Sequence, residues 1–170
     1  MIKYKLLIDC KSPGDEKRWE VIGDKVMGGL SESRLIMSTD NTTLFEGELS
    51  LENNGGFSSV RTYLGDLFLD GFRGLALRVR GDGKHYRLRV RTADASEGFA
   101  YQASFATQSD TWITVHLPFS GFEPFSRGHV VPDAPALNPS DIRQIGLMIA
   151  DKQPGSFRLE IEWIKAYLDY

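Results

Sequence analysis

The chain has 170 residues, 41% of them apolar and 25% charged, which is enough for one domain with a sizeable core and unlike a disordered or fibrous protein. Its 20 Lys and Arg stand against 23 Asp and Glu, and a formal net charge of −3 excludes nucleic-acid binding driven by overall charge. The one cysteine, Cys10, excludes an internal disulfide. With no apolar run long enough for a leader or a membrane span, the sequence reads as cytoplasmic, without membrane insertion.

Period-two alternation punctuated by 17 glycines predicts an all-β sandwich or barrel of antiparallel strands. In chain order the strands are expected near 2–8, 18–23, 33–38, 44–51, 57–64, 74–80, 85–92, 99–107, 112–117, 142–150 and 156–168. Asn53-Asn54-Gly55-Gly56 is expected to close the bend between the strands at Glu46–Leu51 and Phe57–Leu64, because Asn and Gly tolerate positive φ. Met27-Gly28-Gly29 has the same character. The stretch from Pro118 to Pro139 holds five of the seven prolines, so a central strand is excluded there and a long ordered loop is expected, packed through Phe119, Phe122 and Phe125.

The segments Leu75–Arg80 and His85–Arg91 flank Gly81-Asp82-Gly83-Lys84, and Asp82-Gly83 suits a two-residue type I′ hairpin turn. In that register Val79 faces Tyr86 and Leu77 faces Leu88, while Arg78, Arg80, Arg87, Arg89 and Arg91 gather on the opposite face. Like charges directly across a ladder destabilise each other, so an acidic neighbour is expected. Glu160 and Glu162 of the last strand are one candidate, giving a salt-bridged sheet face. The other reading is a groove with an arginine floor for an anionic ligand or partner, since guanidinium pairs bidentately with carboxylate and phosphate.

Catalytic patterns are missing. His85, His116 and His129 lack zinc-motif spacing. Gly28–Ser33 fails the nucleophile-elbow pattern, and Gly81–Lys84 lacks the spacing of a phosphate loop. No cofactor is expected, although the oxygen-bearing loops at Asp9, Asp15, Asp40 and Asp151 leave a structural Ca²⁺ open. The tryptophans Trp19, Trp112 and Trp163 are assigned to the core.

Several segments together follow one family pattern. They are Val26-Met27-Gly28-Gly29-Leu30-Ser31, Phe45-Glu46-Gly47, Leu51–Arg61 with its Asn-Asn-Gly-Gly-Phe run, Arg80-Gly81-Asp82-Gly83, Leu117-Pro118-Phe119, Arg127-Gly128 and Gly146–Asp151. From about residue 15 to 167 the chain resembles the complex I intermediate-associated protein 30 family. That resemblance implies a galactose-binding-like jelly-roll sandwich without catalytic activity, in a family that assists assembly of respiratory NADH:ubiquinone oxidoreductase. The candidate binding residues are Arg61, Arg78, Arg80 and Arg87 for charged contacts with a protein partner. Asp24, Gly28, Gly29, Asn53, Asn54, Gly55, Gly56 and Asp82 are expected to shape a rim, with Arg127 on the long loop. A carbohydrate-binding module is the alternative, with Tyr63, Tyr101 or Phe125 exposed to stack on a sugar ring.

Overall fold

The structure is a computed structural model that describes residues 1–23, 29–93, 98–126 and 128–169. The expected strands form: β1 (Ile2–Asp9), β2 (Glu20–Gly23), β3 (Glu32–Met37), β4 (Thr43–Leu49), β5 (Ser58–Tyr63), β6 (Gly74–Arg80) and β7 (His85–Thr92). They continue as β8 (Ala100–Ala106), β9 (Trp112–Pro118), β10 (Glu123–Ser126), β11 (His129–Val130), β12 (Ile142–Ile149) and β13 (Gly155–Asp169). Of these, β10 and β11 lie inside the proline-rich stretch that the sequence reads as loop. Pro124 is tolerated there because the pair sits at the margin of its sheet, where fewer ladder hydrogen bonds are required.

Two antiparallel sheets make a β-sandwich. Sheet A runs β3-β4-β13-β6-β9, with β1 also on β13, and sheet B runs β11-β10-β8-β7-β12-β5-β2. The apolar half of each alternating strand turns inward, so Leu75, Leu77 and Val79 of β6 meet Tyr86, Leu88 and Val90 of β7 across one shared core. Phe45 and Phe157 add an edge-on ring pair at 5.0 Å between centroids.

The predicted hairpin between β6 and β7 is not formed. β6 pairs with β13 and β9 in sheet A, whereas β7 pairs with β12 and β8 in sheet B. Gly81–Lys84 is therefore an arch from one sheet to the other. In the arch only Gly83 (φ 90) takes positive φ, not Asp82, so the turn is not type I′. The Asp82 carboxylate holds the arch, accepting from the Arg158 N–H at 2.9 Å and from the Tyr86 hydroxyl at 3.0 Å. Thr107 lies against Gly81, where any Cβ would collide with its side chain.

The bend at residues 52–56 likewise passes from sheet A to sheet B. Its positive φ falls on Asn53 (φ 56) and Gly56 (φ 114), as those residue types suggest.

Candidate functional site

Because β6 and β7 sit in different sheets, the five arginines are divided between two outer faces. On sheet A the acidic neighbours expected from the last strand are present. Arg80 Nη2 lies 2.7 Å from Glu160 Oε1, and Arg78 Nε lies 3.8 Å from Glu162 Oε2. Glu160 is buried, which alone would raise its pKa. Hydrogen bonds from Arg158, Arg80 and Thr42 outweigh that and hold its carboxyl below the usual carboxylate range. The Arg80 guanidinium also covers Trp112, 5.2 Å from its ring centroid, and Lys165 covers Trp163 at 4.1 Å. Trp112 and Trp163 thus lie half-buried on the outside of sheet A, and of the three tryptophans only Trp19 joins the core, against expectation. Arg78 and Arg80 thus both have carboxylate partners on this face.

Sheet B is different. Its register lines up one outward row across five strands: Glu20 beside Arg61, then Gly146, Arg89 and Gln102. A Cβ at Gly146 would come 2.7 Å from the Val60 carbonyl oxygen and 3.3 Å from the Arg61 Cβ. There is no room for a side chain at Gly146, and the strand passes bare between Arg61 on one side and Arg89 on the other, all three lining a small cavity of about 100 Å³. Adjacent strands lie about 4.8 Å apart, so two strand spacings put roughly 10 Å between their Cα atoms. Along β7, Arg87 and Arg91 flank Arg89 at two-residue steps of about 6.7 Å.

These cations are unequally partnered. Arg87 forms a two-pronged ion pair with Asp151, and Arg61 meets the exposed Glu20 at 3.3 Å. Among the described residues, Arg89 and Arg91 have no carboxylate partner, and the buried Nε of Arg89 has no hydrogen-bond acceptor. Burial, reinforced by repulsion from Arg91, Arg87 and Arg61, pushes the Arg89 pKa down to about 10. Burial and Arg61 lower that of Arg91 as well.

Arg87, Arg89 and Arg91 floor a groove of about 630 Å³, beside a smaller cavity that Arg61 and Gly146 line with Arg89 and Arg91. Leu51, Gly55, Gly56 and Phe57 form one wall, and Phe125, Ser126 and Gly128 the other, with Gln102 and Met148 in the floor. The Arg87 guanidinium lies 5.9 Å from the Phe125 ring centroid. The expected rim at Gly55 and Gly56 therefore does border the groove, while Asn53 supplies the backbone turn behind it. Gly29 lies buried just before β3 and borders no described part of the groove. Asp24, Gly28, Arg127 and the Asn54 side chain lie outside the described residues. Asp82 is a tether of the arch and not a rim residue. Tyr101 is not an exposed platform: it is buried on the core side of β8, and its hydroxyl donates to the Pro135 carbonyl at 2.6 Å. Tyr63 is 72% exposed, as a stacking residue requires.

Arg89 and Arg91 belong to the expected arginine floor but not to the candidate binding residues, and Phe57, Gln102 and Met148 belong to neither. A signal for the two arginines was present. The hairpin register set Arg78 opposite Arg87, a repulsion that disappears once the strands belong to different sheets.

Two antiparallel sheets packed face to face define the chain's class as a β-sandwich. The chain has the fold of the family 11 carbohydrate-binding module from Clostridium thermocellum, solved with a β-1,3-1,4-mixed-linked tetrasaccharide, at a TM-score of 0.70, 17% identity, and coverage of 96% of this chain and 94% of that one. A family 29 module matches at a TM-score of 0.53 and 14% identity, over 96% of this chain and 91% of that one. At such identities the likeness is one of fold.

The family is settled by sequence: residues 8–161 match the complex I intermediate-associated protein 30 family, and the chain belongs to it. The mitochondrial complex I intermediate-associated protein 30 of Mus musculus is 31% identical, covering 99% of this chain and 58% of that protein. The Drosophila melanogaster protein of the same name is 25% identical over 94% of this chain and 61% of its own. The chain spans about half the length of the curated relatives it matches. Those relatives are named mitochondrial, which overturns the cytoplasmic reading. One buried thiol excludes an internal disulfide but does not specify a compartment.

Proposed function

We propose that this chain is a non-catalytic binding domain that serves assembly of respiratory complex I by holding a protein partner on the outer face of sheet B. The carrying observation is the pair Arg89 and Arg91, held without a carboxylate partner among the described residues at the floor of an open groove. Leaving buried cations unpaired costs stability, and such a cost is offset when the charge is satisfied in a complex. Family membership supplies the assembly context. On sheet A, by contrast, Arg78 and Arg80 already meet Glu162 and Glu160.

Affinity purification of the tagged chain from its own cells tests the reading. Complex I subunits are expected to co-purify with the wild type, to be lost with Arg61→Glu plus Arg91→Glu, and to persist with Arg78→Glu. Retention of the subunits by the sheet B variant contradicts it.

A sugar-binding role is favoured by one observation, the exposed Tyr63 ring on the same face as Gln144 and Arg61. Soluble mixed-linkage glucan binding that is lost in Tyr63→Ala is the corresponding test.

A further inference from the structure

We infer that the groove on sheet B is a small-molecule site for a phosphate monoester carried on an apolar, ring-sized body. The inference rests on reading this face as the binding face, and it adds a small-molecule occupant to it. Three features converge on that chemistry.

The first is charge. Arg87 and Arg61 already have Asp151 and Glu20, so among the described residues the arginines in the floor without a carboxylate partner are Arg89 and Arg91, two residues apart on β7. A carboxylate would neutralise one of them. A phosphate monoester carries about −1.5 to −2 at neutral pH, and its three oxygens accept from two guanidinium groups at once. The buried Nε of Arg89, without an acceptor, is a donor left over for such a group.

The second is wall chemistry. The walls beside the arginines are carbon-rich, from Leu51, Phe57 and Phe125, and Met148 adds apolar surface to the floor. An inorganic anion or a phosphorylated sugar would leave these walls without a partner, whereas an aromatic or aliphatic body covers them.

The third is size and backbone. A volume of about 630 Å³ suits a ligand of metabolite size. The floor is the face of a sheet whose backbone groups are spent on its ladders, so an extended peptide finds few main-chain partners there. Side chains must do the recognising, which favours a compact charged ligand over a strand.

Isothermal titration of the purified full chain with phenyl phosphate, inorganic phosphate and glucose 6-phosphate tests this. Phenyl phosphate is expected to bind at least tenfold more tightly than either of the others. Arg89→Gln and, separately, Arg91→Gln are each expected to weaken it at least tenfold while circular dichroism stays unchanged. Should one variant fail to fold, the other carries the comparison. Affinity is also expected to drop below about pH 6 as the phosphate dianion protonates.

Three results overturn the inference: phenyl phosphate binding no tighter than inorganic phosphate, binding that survives both substitutions, or binding of polygalacturonate in place of phenyl phosphate. If any of these occurs while complex I subunits still co-purify in a manner that depends on Arg61 and Arg91, the small-molecule site falls and the partner reading stands.

Discussion

Replacing Arg89 with methionine is expected to stabilise the fold while removing its binding capacity. In the folded chain burial and three neighbouring arginines lower the Arg89 pKa from its ordinary value to about 10. At about 1.4 kcal/mol per tenfold change, that corresponds to roughly 3 kcal/mol by which the fold disfavours the charged form relative to the unfolded chain. Discounting by about half for water at the open side of the groove leaves about 1–2 kcal/mol. Methionine keeps most of the apolar stem against the sheet and removes the charge and the unsatisfied Nε. Urea denaturation at pH 7 should show a higher midpoint with an unchanged slope, and Tm should rise by about 2–4 °C per kcal/mol for a chain of this size. The linkage sign gives a second check. Above about pH 10 the unfolded chain still binds the proton that the folded chain has released, so wild-type stability gains from this group as pH rises, and the variant lacks that gain. A loss of 1 kcal/mol or more in Arg89→Met at pH 7 would refute the reasoning, because it would mean that the cation is satisfied in the fold.

Glu160→Ala removes the shared partner of Arg80, Arg158 and Thr42, and should cost about 3 kcal/mol in urea denaturation because a buried pair is broken from one side. Since the fold holds this carboxyl below its ordinary value of 4.5, its stabilisation is complete above that pH and fades as pH falls through the lower folded value; acid titration of wild type and variant should converge there. Gly146→Val puts a Cβ 2.7 Å from the Val60 carbonyl oxygen, so stability should fall in thermal melting. Tyr101→Phe removes the hydrogen bond to the Pro135 carbonyl, should cost about 1 kcal/mol by thermal melting, and should leave binding intact.

The strands were legible because their alternation has one solution: Leu75, Leu77 and Val79 must face a core, and so must Tyr86, Leu88 and Val90. Which sheet each strand joins was not legible, because Gly81–Lys84 serves as an arch as readily as a hairpin turn. The difference lies in long-range bonds, from Asp82 to Arg158 and from β7 to β12, that no local pattern encodes. That one ambiguity determined the site. Arginines assigned to one face belong to two, and those left without carboxylates lie on sheet B beside a glycine whose value is visible only in register with Arg61 and Arg89. Tyr101 was misjudged for a related reason. An aromatic in an alternating strand is assigned a side by register, and its pairing with Val90 puts it on the core side.

The claim that sheet B bears the partner can be tested most directly by site-specific photo-crosslinking in cells. A benzophenone amino acid replaces Tyr63 on the outer face of sheet B, or Thr114 beside Arg78 on the outer face of sheet A. Adducts with complex I subunits from position 63 and none from position 114 are the expected result. Adducts from position 114 alone would contradict the assignment of the binding face to sheet B.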